Sequence, residues 1–364
     1  MTKPAILIVD DTDEVIAGIT SSLQKCLPAD AVDINSWSPS TSDEDPEKAF
    51  QDRCEARTVL VVTDYDLTTK GLRGLFGPSI VAWSQNAAIP VGDFSRGKKQ
   101  NAQAEPNLFE LRVPSNDAEA GPFIANLFEG FQSLRAGLSA DDAALKARRN
   151  MAATLAELLG RPNLESQFTL YMARLGAANS SLLDSIRKIG AESEPDTNEI
   201  AHLMTYIMGH VLANSVLRFP GPLLSGAALC AYCACSIDEA AALAPSFEAA
   251  LYAGPFSGLG PYYWRDDVDR LLDAGLEALG EVDASSFAES NRAVVEVWLK
   301  RTLKSHDCDR CGGTRGGFWC PFKLRPVCDR SDCSVPSSSW VPQGAQLTRV
   351  ERDFYDELSP LLGL

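Results

Sequence analysis

The sequence predicts an α/β doubly wound parallel sheet over residues 1–135, a mostly α-helical region over 138–304, and a small cysteine-rich module with a closing helix over 305–364. Three observations predict this. In the first third, short apolar runs such as "AILIV" and "TVLVV" alternate with helix-period segments, as strands buried on both faces of a parallel sheet require. Alanine and leucine then rise while β-branched runs vanish, and after residue 305 cysteine, glycine and proline concentrate. At 364 residues the chain exceeds one ordinary core, so two or three domains are expected.

"AILIV" reads as the first buried strand. "DDTDEVIAGITSSLQKCL" follows, with Val15, Ile19, Leu23 and Leu27 at four-residue spacing and acidic residues in its first turn; this is an amphipathic helix with a favourable N-terminus. "AVDINSW" is a weaker strand, "SPSTSDEDP" a polar loop before a short helical segment, and "TVLVV" a second fully buried strand. "AAIPVGDFS" and "NLFELRV" supply two more. Such a β-α repeat places functional sites at the C-terminal ends of strands. Helix periods dominate "DDAALKARRNMAATLAELLG", "EIAHLMTYIMGHVLANSVLRF", "DDVDRLLDAGLEALG" and "ESNRAVVEVWLKRTL", with no fixed-period repeat. A short amphipathic helix carrying Val350, Phe354 and Leu358 closes the chain.

The apolar share of 45% with 23% charged residues is that of a globular protein. A net charge of −16 opposes both a dedicated DNA-binding surface and docking on anionic membranes. The chain starts as a strand rather than as a secretory leader. Its most apolar stretch, "GPLLSGAALCAYCAC", has fifteen residues, too few to cross a bilayer. Ten cysteines in such a chain point to a reducing, cytoplasmic setting, with the clustered thiols available to a metal.

Asp10 and Asp11 follow the first strand, and Asp64 follows "TVLVVT". In a doubly wound sheet these ends are adjacent, so the three carboxylates converge on one crevice, where their repulsion calls for a raised pKa or a divalent cation. Mg²⁺ suits a few carboxylates because it keeps several waters. Such a site lets Asp64 attack a phosphoryl group, and Ser95, closing "IPVGDFS", adds a hydroxyl at the next strand end. The competing reading is that the aspartates cap turns and helices, as Asp11 before Thr12 at a helix start would.

Taken in order, "ILIVDD", "VVTDYDL" and "IPVGDFS" make residues 1–135, about a third of the chain, resemble the receiver domain of bacterial two-component response regulators. The resemblance implies a receiver/flavodoxin-like fold with five parallel strands, metal-binding roles for Asp10 and Asp11 beside Asp64, Asp64 as phosphoacceptor, Ser95 as switch hydroxyl, and a histidine kinase as partner. In "LFELRVPSN", Arg112 stands one residue before the position of the family's lysine and Val113 precedes Pro114. Arg112, Lys98 and Lys99 are thus candidates for the basic group that pairs with the phosphoryl. Glu110 or Leu111 stands where the family carries an aromatic residue, and Thr68 where proline is common.

"CDRCGGTRGGFWCPFKLRPVCDRSDC" carries the second chemistry. Cys308 and Cys311 form a Cys-x2-Cys knuckle, and Cys328 and Cys333 a second pair after sixteen intervening residues; four thiolates with no open position read as a structural zinc site. Cys320 is the alternative ligand, and His306 lies just outside. Residues 300–333 hold eight basic against four acidic side chains, with Phe318, Trp319 and Phe322 interleaved. That opens a nucleic-acid reading through Arg315, Lys323 and Arg325; the competing reading makes the aromatics a small core and the surface a protein-docking face. Cys230, Cys233 and Cys235 read as core packing, His202 and His210 as core or interface histidines, and Tyr262, Tyr263 and Trp264 as the anchor of a packed loop. No Gly-rich phosphate loop, Ser/His/Asp set or HExxH motif is present, so no output enzyme is visible.

The expected function is that of a bacterial signalling adaptor or regulator. Mg-dependent phosphorylation of Asp64 would control protein–protein output, toward a histidine kinase or other subunits of a signalling or defence complex. Receiver-like modules with unfamiliar outputs also occur in bacterial conflict and anti-phage systems, and analogy extends the expectation there. The alternatives are a phosphorylation-silent pseudo-receiver serving as scaffold subunit, and a nucleic-acid-associated effector acting through the zinc module.

Overall fold

The computed structural model describes residues 3–55, 57–68, 70, 75–94, 108–140, 150–173, 196–308, 310–313, 316–336 and 341–358. The chain divides into two compact units, Met1–Met151 with Ser180–Asn214, and Ala152–Asn179 with Ser215–Leu364.

In the first unit, β1 (Ala5–Val9), β2 (Asp33–Trp37), β3 (Thr58–Thr63), β4 (Val91–Asp93) and β5 (Leu111–Arg112) form one parallel sheet in the order β2-β1-β3-β4-β5. All five residues of β1 are buried, which explains its unbroken apolar run: successive side chains point to opposite faces, and both faces are covered. Leu7 and Val9 join Phe50 of α2 (Pro46–Arg53) and Ile80 and Val81 of α3 (Gly77–Asn86) in one core cluster. On α1 (Asp13–Cys26) the buried residues are Val15, Ile19 and Leu23, at the expected spacing. The helix packs against α4 (Asp117–Ser139), which also touches β3. Asn116 caps α4 by accepting the Ala118 N–H at 3.0 Å.

A fifth helix, α5 (Thr197–Val211), packs on α4 within this unit. The Asp196 carboxylate accepts the N–H groups of Asn198 and Glu199 at its start, a side-chain cap for otherwise unpaired donors. Just past its end, the Asn214 amide donates to the carbonyls of Leu108 and Glu110 at 2.8 and 3.0 Å, tying the helix to the approach to β5.

The second unit is built on one core that includes Leu229, Cys230, Cys233, Cys235, Phe247, Tyr263, Val268, Leu272, Val294 and Trp319. Its helices include α6 (Gly226–Tyr232), α7 (Arg265–Leu279) and α8 (Phe287–Leu299). Three short antiparallel pairs join β6 (Leu223–Ser225) to β7 (Tyr262–Trp264), β8 (Phe318–Cys320) to β9 (Arg325–Val327), and β10 (Ser334–Val335) to β11 (Val350–Glu351). The closing helix α9 spans Arg352–Leu358, leaving Val350 on β11. Cys230, Cys233 and Cys235 are core residues, their thiols pushed up by burial. Tyr262, Tyr263 and Trp264, expected as the anchor of a packed loop, form β7 instead, with Tyr263 and Trp264 buried and Tyr262 half-buried.

These units differ from the sequence-based boundaries at 135/138 and 304/305. Helix α5 joins the sheet unit, because helical periodicity shows that a face is buried but not against what. The cysteine-rich segment shares the helical core: Trp319 is part of that cluster, and the Gly317 N–H donates to the Ala231 carbonyl at 2.6 Å. Among the described residues no helix is long and apolar enough to cross a membrane.

Candidate metal centre and acidic crevice

Two turns bring four cysteines together. In the first, the Gly312 N–H donates to the Cys308 carbonyl at 2.7 Å and the Cys308 N–H to that of Gly313 at 2.9 Å. Gly312 sits at φ +62°, a left-handed conformation that costs a side-chain-bearing residue roughly 1–2 kcal/mol. In the second, the N–H groups of Cys333 and Ser334 both donate to the Arg330 carbonyl at 3.0 Å, and the Ser334 hydroxyl donates to the Cys328 carbonyl at 2.6 Å. Two guanidiniums clamp this turn: Arg349 donates to Ser334 Oγ and the Asp329 carbonyl, Arg352 to the Ser331 carbonyl.

The Sγ atoms of Cys308, Cys311, Cys328 and Cys333 all lie within 4.8 Å of one another. Cys311 and Cys328 are 3.7 Å apart, far beyond the ~2.05 Å of a disulfide. A tetrahedral zinc with Zn–S near 2.3 Å has S···S edges of about 3.8 Å, so the quartet fits such an ion. Cys308, Cys328 and Cys333 are buried and Cys311 half-buried. Burial pushes the Cys308 thiol up, but the N–H groups of Cys311 and Arg310, together with hydrogen bonds to the Cys328 and Cys311 side chains, hold it below its ordinary value. Burial carries Cys328 up to about 11. These four cysteines could hold a metal ion such as zinc. Cys320 is buried on β8, outside the quartet.

The aromatics of this segment are used inside the protein. Phe322 stacks on Phe354 at 5.1 Å, Phe318 meets Phe287 edge-on at 6.1 Å, and Trp319 lies in the core. Arg325 is ion-paired with Glu351, and Lys323 lies 5.3 Å over the Phe354 ring. Arg315 lies outside the described residues.

At the C-terminal edge of the sheet, Asp10 and Asp11 follow β1, Asp64 follows β3, and Asp93 ends β4. Strand order sets β1, β3 and β4 side by side, and the chain reverses direction across the sheet between β1 and β3, the switch point at which such sheets carry their sites. Asp10 and Asp11 are 3% exposed. Burial raises Asp10 to about 6, and Asp64 and Asp11 add repulsion. Asp64 is raised by burial too, with Asp93 and Asp11 contributing, while the N–H groups of Tyr65 and Asp66 pull the other way. The carboxylates also serve turns: Asp10 Oδ1 accepts the Thr12 N–H at 2.7 Å and Asp64 Oδ2 that of Asp66 at 3.4 Å. Helix α3 begins hard against this turn; a Cβ on Gly77 would lie 2.3 Å from the Asp64 carbonyl oxygen.

Among the described residues the cysteine quartet is the one set of metal-ligating side chains that converges on a point; Asp10, Asp11 and Asp64 feel one another's charge without doing so. Arg112 on β5 is exposed, and its Cα is in register with Asp93. Ser95, Lys98 and Lys99 lie outside the described residues. Sequence reasoning missed Asp93, whose signal was its place at a strand end, like that of Asp64. It also missed Lys70, which donates to Asp13 at 2.8 Å and to Ser38 at 2.7 Å. Comparison with protein-family models, curated proteins and solved structures gave no match to the chain.

Proposed function

We propose that the first unit is a receiver-like module in which Asp64 accepts a phosphoryl group, and that its phosphorylation state governs which protein the chain engages. The observation that supports this most is the set of Asp10, Asp11, Asp64 and Asp93 at neighbouring strand ends about the switch point of a 2-1-3-4-5 sheet. Desolvated carboxylates that repel one another favour a cation, and a Mg²⁺ held by Asp10, Asp11 and Asp64 would offset charge on the phosphoryl oxygens. An Asp64 oxygen attacks phosphorus and forms the new P–O bond. The bond from phosphorus to the donor's imidazole nitrogen breaks, and the nitrogen keeps the electron pair. Arg112, Lys98 and Lys99 are the candidates to pair with the bound group. The cysteine quartet holds a structural zinc and takes no part in transfer.

The test is incubation with Mg²⁺ and acetyl phosphate, followed by intact masses of wild type and Asp64→Ala. The expected result is a phosphate-sized gain in wild type alone. No gain from acetyl phosphate or from a phosphohistidine donor removes the proposal and leaves the silent scaffold. One observation favours that second reading: the carboxylates of Asp10 and Asp64 already accept backbone N–H groups. A scaffold would capture the same partner proteins, whether of a signalling or a defence complex, with and without Asp64→Ala.

A further inference from the structure

The edge of the sheet opposite the acidic crevice carries a cleft of ≈ 800 Å³, within the roughly 300–1,000 Å³ usual for small-molecule sites. It is walled by Arg57 and Thr58 at the start of β3, by Arg135 on α4, and by His202, Thr205 and Tyr206 on α5. Ala88 and Pro90, ahead of β4, give it an apolar floor.

Two features of this wall bear on what it could hold. The first is a group of hydroxyls. Thr58 Oγ1, Thr205 Oγ1 and Tyr206 Oη are buried and have no hydrogen-bond partner among the described residues; their residues are 4%, 7% and 1% exposed. An unmade buried hydrogen bond costs about 1–3 kcal/mol, and folded proteins leave few of them. Three around one cleft point to polar atoms that come from outside the chain.

The second feature is a cation. Arg57 is committed to Asp33 and Glu55, but Arg135 has no carboxylate partner among the described residues. Arg135 Nη1 donates to His202 Nδ1 at 3.4 Å, and His202 Nε2 donates to the Ala87 carbonyl at 3.2 Å. A guanidinium only donates and a carbonyl only accepts, so the two bonds together fix a neutral imidazole with its proton on Nε2. His202 therefore positions Arg135 without sharing its charge. Burial likewise pushes the His202 pKa down, and the neighbouring Arg135 adds to it.

We propose that this cleft binds a small organic anion, its phosphate or carboxylate paired with Arg135 and its polar groups bonded to Thr58, Thr205 and Tyr206. This site is separate from the phosphoryl chemistry of the other edge and does not depend on it.

The full chain is titrated with inorganic phosphate and with adenosine 5′-monophosphate, which carries the same anion on a body with further donors and acceptors. The Arg135 Nε–Hε resonance and the amides of Thr58 and Thr205 are followed by NMR. Saturable shifts at these residues are expected, with the nucleotide binding at least about tenfold, or ~1.4 kcal/mol, tighter than phosphate. Arg135→Gln is expected to lose at least that factor, Arg135→Lys less, and Asp64→Ala none. Thr205→Val is expected to weaken the nucleotide while raising the melting temperature; a merely structural Thr205 would change the melting temperature alone. The absence of saturable shifts with both probes at millimolar concentration overturns the proposal. So does equal binding of the two probes that Arg135→Gln leaves unchanged, which marks an adventitious ion only.

Discussion

His210 sets an acid limit on the stability of the first unit. It lies on α5 with 0% exposure, ringed by Phe109, Phe131 and Tyr206 at centroid distances of 5.3, 5.5 and 4.7 Å. Neither ring nitrogen has a hydrogen-bond partner among the described residues. Burial lowers its pKa from 6.5 to about 3, and Tyr206, shifted upward by burial, stays neutral beside it. The unfolded chain takes up a proton below pH 6.5 that the folded chain refuses until about pH 3. The stabilisation is therefore complete above pH 6.5 and is lost as pH falls toward 3, at about 1.4 kcal/mol per pH unit. Between pH 7 and 4.5 the loss is about 2–3 kcal/mol, a sizeable share of a total of roughly 5–15 kcal/mol. The assay is urea unfolding at several pH values, comparing wild type with His210→Phe, which keeps a ring in the cage. Asp10 and Asp64, whose raised pKa values make acid stabilising, act alike in both proteins and cancel in the difference. Wild type should lose about 2–3 kcal/mol more than the variant between the two pH values. Parallel pH profiles would refute the reasoning.

Zinc analysis of the purified chain should give one ion. Cys328→Ser should lose it and unfold the second unit at lower temperature, whereas Cys320→Ser should keep it, because Cys320 stands outside the quartet. Trp319→Ala should cost about 3–5 kcal/mol and melt helices and cysteine-rich segment in one transition, since both draw on the same core; two separate calorimetric transitions would count against a shared core. Gly77→Ala should displace the Asp64 turn, because the new Cβ would sit 2.3 Å from a backbone oxygen. The expected cost is about 1–3 kcal/mol in chemical denaturation, with slower labelling by acetyl phosphate, and unchanged stability would contradict it.

What was legible in the sequence was local or strictly periodic. The β1 and β3 strands announced themselves because burial on both faces removes polar alternation, and the helical face of Val15, Ile19 and Leu23 because one turn repeats the next. Cys308 and Cys311 with Cys328 and Cys333 were legible because two tight turns each fix a pair, leaving only the meeting of the pairs to the fold. The cleft was not legible: Thr58, Arg135 and Thr205 are far apart in sequence, and a threonine without a partner looks like any other threonine. His210 showed only as a histidine on an apolar helix; that its cage draws on Phe109 and Phe131 from other elements depends on α5 packing against α4, which periodicity does not specify.

Asp93 shows how such a gap bears on function. From sequence, three acids met in the crevice, a number that turn-capping alone could explain. The sheet register sets Asp93 beside Thr63, the residue before Asp64, and its charge helps to raise the Asp64 pKa. A turn needs one acceptor for each N–H, and the bonds from Thr12 and Asp66 meet that need at Asp10 and Asp64. Asp93 adds its charge to that of Asp11 at Asp64, a repulsion that a bound cation would relieve. Asp93→Asn therefore separates the two readings of the crevice. If the acids only cap turns, Mg²⁺ should be without effect on the melting of either protein. If they form a cation site, Mg²⁺ should raise the melting temperature of wild type, and Asp93→Asn should reduce that gain.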